Sequence, residues 1–239
     1  MPTTPTVPTA APHPAATKPT KPHPMRVWIV EDHQLFCELL IDYLKAAAHV
    51  EVVGTSVDQA PLFRELGTRE IDVVVLDLNL QGAGGMRVLE ELGKLPKAPQ
   101  VVILSATATE HSVNLAVRLG ARAYIDKGAS LNELLLAFEQ IAQGGVYFSD
   151  LPRRVLIDLA ARRGRVEEDK VTVRETEVLA RLARGEAIKE VAGDIGVSKW
   201  AVYRIRNELR RKLELADDKE LIEYALKIGL AEGPADHAP

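Results

Sequence analysis

The sequence predicts an α/β chain: a five-stranded, doubly wound parallel sheet followed by a small all-α domain. Three observations carry that expectation. Short apolar, β-branched runs alternate with stretches of helical spacing between Met25 and Ile141. After residue 149 the strand-like runs stop and helical periodicities take over. Between these halves of the pattern, Ile71-Asp72-Val73-Val74-Val75-Leu76-Asp77-Leu78-Asn79-Leu80 is an apolar run without regular polar alternation, the mark of a parallel strand covered on both faces.

Taken in order, residues 1–24 alternate Pro, Thr and Ala with no acidic residue. They hold too little apolar surface to offset ordering entropy and read as a disordered, partly polyproline-like tail. They lack the apolar centre of a secretory signal and the arginines of a transit peptide, and Met25 stands directly before the first strand as an alternative start. That strand is Arg26–Val30, with Leu35, Leu39, Leu40, Tyr43 and Leu44 on the helix behind it. Val50–Gly54 is the second strand, followed by a helix through Leu62 and Leu66. The strand ending at Asp77 is third, and a loop with Gly82, Gly84 and Gly85 leads to a helix through Val88, Leu89 and Leu92. Val101–Leu104 is fourth, with Val113, Ala116, Val117 and Leu119 behind it; Ala123–Ile125 is fifth, and Leu131–Ile141 is the last helix. Right-handed crossovers then cover the sheet on both faces. Residues 25–147 form this domain, and 148–170 a linker with one helix, marked by Val155, Leu156 and Leu159. Residues 171–230 form the second domain, with helices at 174–184, 188–195, 198–213 and 219–228, and 231–239 read as a disordered tail.

The 30 Lys and Arg against 34 Asp and Glu give a net charge of −4, which says nothing against nucleic acid because cations concentrate between Lys199 and Lys212. Cys37 is the only cysteine, so neither an intramolecular disulfide nor a thiolate metal cluster can form within one chain, as suits a reducing cytoplasm. No apolar stretch approaches bilayer-spanning length, so a soluble, cytoplasmic protein with no membrane partner is expected.

Each strand end of the first domain contributes a polar group: Glu31 and Asp32 after the first, Asp77 on the third, Ser105 on the fourth and Lys127 after the fifth. In a sheet whose first strand lies beside its third, the three carboxylates meet in one pocket at the carboxyl edge, where open α/β sheets collect their chemistry. Crowded anions raise one another's pKa unless a cation sits among them. Their oxygen ligands suit Mg²⁺, Lys127 supplies a point charge for a second anion, and the Ser105 hydroxyl can donate to the same group. The chemistry that uses these parts is phosphoryl transfer to a carboxylate, with Asp77 as nucleophile and an acyl phosphate as product.

Residues 25–147 resemble the receiver domain of two-component response regulators, a flavodoxin-like fold. The matching pieces are Val-Trp-Ile-Val-Glu31-Asp32-His, Val-Leu-Asp77-Leu-Asn79-Leu, Leu-Ser105-Ala and Tyr124-Ile-Asp-Lys127-Gly. The resemblance implies that Asp77 accepts phosphate from a sensor histidine kinase and that Glu31, Asp32, Asp77 and the backbone carbonyl of Asn79 hold Mg²⁺. It further implies that Ser105 binds the phosphoryl group and that Tyr124 is an aromatic switch. Gln81 departs from the family's usual Pro four residues beyond the acceptor.

In the second domain, Val202, Ile205, Leu209 and Leu213 are spaced to face a core, leaving Lys199, Tyr203, Arg206, Asn207 and Arg210 outward on a helix with Ser198 as its cap. A short helix, Ile188 to Ile195, and a Gly196 turn precede it, the helix-turn-helix frame that docks a basic helix into the major groove. Residues 171–230 resemble the NarL/LuxR-type output domain through Val171-Thr-Val-Arg174-Glu175-Thr-Glu177-Val-Leu, Gly185, Lys189-Glu190-Val-Ala, Val197-Ser198, Val202 and Arg211-Lys212-Leu213. That resemblance implies groove contacts from Tyr203, Arg204 and Asn207, with Arg206, Arg210 and Arg211 nearer phosphates. Ala201, Tyr203 and Ile205 replace the family's Thr, Lys and His, Ile188 replaces a polar residue, and Gly193 sits inside a helix.

Together these features predict a regulator that binds double-stranded DNA as a homodimer after phosphorylation, since one short helix reads too few bases alone. Three other readings stay open. The output domain could bind protein instead of DNA, given Tyr203 and Ile205, or act independently of phosphorylation. A phosphohydrolase would use an Asp nucleophile as in Asp77-Leu78-Asn79, but would want it on the first strand and leaves the helical domain unexplained.

Overall fold

The computed structural model describes residues 23–80, 84–161, 171–228 and 230. The tails at 1–22 and 231–239, Gln81 and Gly82 of the loop after Asp77, and the charged part of the linker at 162–170 lie outside the described residues. Strands β1 (Met25–Val30), β2 (Val50–Ser56), β3 (Val73–Asp77), β4 (Gln100–Ser105) and β5 (Ala123–Asp126) alternate with helices α1 (Gln34–Lys45), α2 (Gln59–Glu65), α3 (Gly85–Gly93), α4 (Glu110–Arg118) and α5 (Asn132–Ala142). A short sixth strand, β6 (Tyr147–Phe148), and a helix, α6 (Asp150–Ala161), complete this half.

The strands form one parallel sheet in the order β2-β1-β3-β4-β5-β6. Successive side chains of a strand point to opposite faces, so the sheet sorts its residues into two cores. Val27, Ile29, Val73, Val75, Val102, Leu104 and Ile125 pack with Leu40 and Leu44 of α1 and Leu134 and Phe138 of α5. Trp28, Val30, Val74, Leu76, Val101, Ile103 and Tyr124 pack on the other face with Leu62, Val88, Leu89, Leu92 and Val113. The chain leaves β1 toward β2 on one side and returns to β3 on the other. That reversal opens a crevice at the carboxyl ends of β1 and β3, where Asp77 lies.

Three expectations change. The sheet has a sixth strand, two residues long and paired in parallel with Ala123 and Tyr124, too short to register as a periodicity. On α1 the core stripe runs through Leu40 and Leu44, with Phe36, Cys37 and Ile41 packed against it, while Leu35 is 82% and Leu39 51% exposed. On α4, Val117 is exposed and His111 and Leu115 are buried in its place. Helix α6 lies against α4 and β5, with Val155 and Leu156 joined to the second core, so the linker helix covers part of that face of the sheet domain.

The second half is helical: α7 (Val173–Ala183), α8 (Ile188–Asp194), α9 (Lys199–Lys212) and α10 (Asp218–Lys227). Val178, Leu179, Val191, Val202, Ile205, Leu209, Leu221 and Ala225 form its core. Local chemistry sets the helix starts: the Thr172 hydroxyl accepts from the Glu175 N–H while Glu175 accepts from the Thr172 N–H, and Ser198 and Asp217 cap α9 and α10. Gly196, at φ 67°, makes the turn between α8 and α9 where a side chain would be strained. Lys212 Nζ, at the end of α9, lies 2.6 Å from Glu175 Oε1 and fixes the crossing of α7 and α9. Burial pushes the Glu175 carboxyl up, but hydrogen bonds from Lys212 and Thr172 outweigh it and hold the group below the usual glutamate range.

A depressed carboxyl contributes stability that is full above its unfolded pKa and is lost as pH falls through the folded one. Glu175→Gln should therefore destabilise the protein by about 1–3 kcal/mol near neutral pH. Urea titrations at neutral pH and near pH 4 should show the gap from wild type closing at the lower pH.

Candidate functional site

The crevice between β1 and β3 gathers the residues singled out from the sequence. Asp77 is 1% and Glu31 2% exposed. Lys127, in the loop after β5, reaches across so that its Nζ lies 2.9 Å from Asp77 Oδ2 and 2.8 Å from Glu31 Oε2. The backbone places it there: the Lys127 N–H donates to the Ser105 carbonyl, extending the β4–β5 ladder by one residue. Burial pulls the ammonium pKa down, but hydrogen bonds to both carboxylates more than offset that and leave it raised. Glu31 is pushed up, first by burial and further by the charge of Asp77, against the pull of Lys127.

One ligand atom each from Glu31, Asp32, His33 and Asp77 lies within 4.8 Å of all the others. Crowded carboxylate oxygens at the mouth of a buried crevice fit a small, hard divalent cation, which binds through few protein oxygens and keeps waters. His33 is 75% exposed at its side chain and sits on the rim. The Asn79 N–H donates to Asp77 Oδ1 at 3.0 Å, which holds that loop over the acid. Gly85 closes the crevice from behind, because a Cβ there would lie 2.6 Å from the Leu78 Cα and collide with the Asp77 carbonyl. Any side chain would push α3 away from the end of β3.

Ser105 and Tyr124 reach the same edge but face inward. The Ser105 hydroxyl donates to the Thr107 carbonyl at 2.8 Å, and the Tyr124 hydroxyl reaches that carbonyl at 2.9 Å and Ser112 Oγ at 3.1 Å. Burial raises the pKa of the Tyr124 phenol. Ser112 closes a capping box with Thr109 at the start of α4. Within that same first turn, His111 Nε2 lies 3.1 Å from Thr176 Oγ1 of α7, both groups buried. Close by, Arg87 of α3 lies 3.9 Å from Glu177 of α7. Burial raises the Glu177 pKa, against the pull of Arg87. A sequence scan of strand ends misses Thr107, His111, Thr176 and Glu177, because none stands in a reactive pattern; Thr109 and Ser112, three apart before a helix, are the one readable signal.

The outward face of α9 differs from the expectation in two places. Lys199, Tyr203, Arg204, Asn207 and Arg211 are exposed. Arg206 and Arg210, expected nearer phosphates, turn toward the start of α10: Arg206 Nη1 lies 2.9 Å from Asp218 Oδ2, Arg210 lies 3.7 Å from Asp218 Oδ1, and Arg210 also donates to the Ala216 carbonyl. Ile205 is buried in the core, so its apolar character serves packing rather than a partner. The scan also missed Trp200, 81% exposed on the same face. Among the described residues, no helix is long and apolar enough to cross a membrane.

Residues 27–139 match the family described as response regulator receiver domain, and residues 169–225 match bacterial regulatory proteins, luxR family. The transcriptional regulatory protein MctR of Rhizobium johnstonii is 32% identical over 208 residues, covering 86% of this chain and 95% of that protein. The transcriptional regulatory protein UhpA of Salmonella typhimurium is 31% identical over 195 residues, covering 82% of this chain and 94% of that protein. Among solved structures, the RcsB response regulator of Salmonella typhimurium superposes with a TM-score of 0.70 at 20% identity, covering 86% of this chain and 98% of that one. A structure described as two RcsB dimers bound to two parallel DNAs superposes with a TM-score of 0.56 at 19% identity, covering 86% of this chain and 100% of that one. At such identities the likeness is one of fold.

The Lys127 bridge yields a test independent of any reaction. Lys127→Met leaves Glu31 and Asp77 facing each other in a buried crevice, which should cost about 2 kcal/mol or more at neutral pH. In urea titrations the loss should shrink as pH falls and the acids protonate, and Mg²⁺ should restore part of it at neutral pH.

Proposed function

Because the chain belongs to the two-component response regulators that join a receiver domain to a LuxR-type helix-turn-helix, we propose that phosphorylation of Asp77 controls its binding to DNA. The observation that carries the proposal is the convergence of Glu31, Asp32, Asp77 and Lys127 in one crevice, from segments nearly a hundred residues apart. The chain is a transcriptional regulator by family and not a conventional enzyme.

In the proposed reaction a carboxylate oxygen of Asp77 attacks the phosphorus of a phosphohistidine on a sensor kinase, and the imidazole leaves with the P–N electron pair. Glu31, Asp32, Asp77 and the Asn79 carbonyl would hold Mg²⁺, which when bound neutralises charge on the phosphoryl oxygens. Lys127 then exchanges part of its contact with Asp77 for a phosphoryl oxygen. Ser105 turns its hydroxyl from the Thr107 carbonyl to another phosphoryl oxygen, since a charged acceptor makes the stronger hydrogen bond.

That turn removes one of the two hydroxyls on Thr107 and leaves Tyr124 as the partner of the 105–109 loop. The loop carries the cap of α4, and α4 carries His111 against Thr176. Phosphorylation in this way biases the docking of α7, a local charge event read out as a population shift. We assign the switch to 25–147, the connection to 148–170 and DNA binding to 171–230. The basic face of α9 already lies open while α7 is docked, so undocking acts on pairing two chains rather than on uncovering the helix. The tails at 1–24 and 231–239 have no part in the scheme. A cytoplasmic location, with homodimers on DNA, follows from the proposed partners.

Acetyl phosphate with Mg²⁺ should add one phosphoryl group to the wild-type chain and none to Asp77→Asn, read by intact mass or a phosphate-retarding gel. Retention of duplex DNA by the modified protein should fall steeply with salt, with a log–log slope of a few phosphates per chain. An unmodified wild type sinks the switch, and salt-insensitive retention sinks the DNA reading.

A further inference from the structure

The face of α9 that points away from the core changes character along its length. Its N-terminal turn carries Trp200 and Tyr203, its middle Arg204 and Asn207, and its last turn Arg211. Trp200 is 81% exposed, although an indole is among the costliest side chains to leave in water. The two rings lie 6.0 Å apart between centroids and are tilted by 50°, so they form one apolar wedge. The wedge is braced from within: the Arg206 guanidinium lies 5.1 Å from the Tyr203 ring centroid and is itself anchored 2.9 Å from Asp218. This accounts for an arginine turned away from solvent on an otherwise cationic helix.

Resting on the DNA-binding reading above, we infer that Trp200 and Tyr203 read the C5-methyl groups of thymines in the major groove. The occupant follows from charge and position. Lys199, Arg204 and Arg211 flank or continue the wedge on its exposed face, and Glu208 is the only acid in the helix. A surface so cationic meets phosphates more readily than an ordinary protein patch. The first turn of a recognition helix is the part that reaches base edges. There the one apolar group any base presents in the major groove is the thymine methyl. Asn207, two turns along, carries the amide that pairs in bidentate fashion with adenine. The face therefore selects half-sites rich in A·T pairs, with thymine toward the N-terminus of α9. The inference also gives a use to the replacement of a cationic residue by Tyr203.

The test uses the full chain, with and without acetyl phosphate. Duplexes enriched from a random library are remade with deoxyuridine for each thymidine in turn, which deletes only the methyl. At one or two positions per half-site the wild type should lose about fourfold in affinity, the value of one buried methyl. Trp200→Ala should bind the enriched site more weakly yet with the same salt slope, and should treat thymidine and deoxyuridine alike. Trp200→Phe should recover the discrimination, and because residue 200 is exposed both variants should melt with the wild type.

Salt-dependent binding that ignores the methyl at every position overturns this inference and leaves the DNA reading intact. So does discrimination that survives in Trp200→Ala. If no duplex is retained at any salt concentration, both fall, and the wedge belongs to a protein partner instead.

Discussion

The arrangement depends on one ammonium group. Lys127 stands between two buried carboxylates, and without it the carboxyl edge of the sheet would hold like charges in a low-dielectric crevice. Its reach ties β1, β3 and β5 into a single edge: Glu31 follows the first, Asp77 ends the second and Lys127 follows the third. The parallel sheet makes such a bridge possible, because every carboxyl end opens on the same side. Two anions held by one cation also form a poised electrostatic site. A divalent ion and a dianionic group could enter together with little change in net charge, Lys127 then only exchanging one oxygen acceptor for another.

Much of the receiver half is legible in sequence because burial on both sides of a parallel sheet leaves uninterrupted Val and Ile runs. The strand order then forces Glu31, Asp32, Asp77 and Lys127 to one edge. What stays hidden is side-chain direction. Ser105 stands where expected, yet its hydroxyl turns into its own loop, a choice set by the Thr107 carbonyl that no spacing reveals. Leu35 and Leu39 fit the helical period but fall beyond the edge of the buried stripe. Strand β6 is too short to have a period at all.

The helix-turn-helix half shows the same limit. Val202, Ile205 and Leu209 are legible as core because α9 is long enough for a clear stripe. Its polar face is not, since the fate of Arg206 depends on Asp218 in the next helix. A count of cations overstates how many are free to meet phosphates. It also passes over Trp200, whose apolar character on a polar face is a departure from pattern rather than an instance of one. Where a local rule fails without a packing reason, function is the natural place to look.

The size of the contacts between the two halves bounds how the proposed switch can behave. A buried His111–Thr176 hydrogen bond contributes about 0.5–1.5 kcal/mol, and the long ion pair between Arg87 and Glu177 adds little, because its attraction is offset by the desolvation of Glu177. The energy that phosphorylation can redirect through Ser105 is of similar order, one hydrogen bond lost by Thr107 and one gained by a charged oxygen. Neither side exceeds the other by the ~5.5 kcal/mol that would carry an equilibrium from one extreme to the other. Under the proposed function a single chain would therefore shift its docked population about tenfold rather than flip it. On the same proposal the remaining sharpness would come from pairing: two chains that both had to undock to place two α9 helices on adjacent grooves would multiply a modest bias, with the DNA as the frame that couples them.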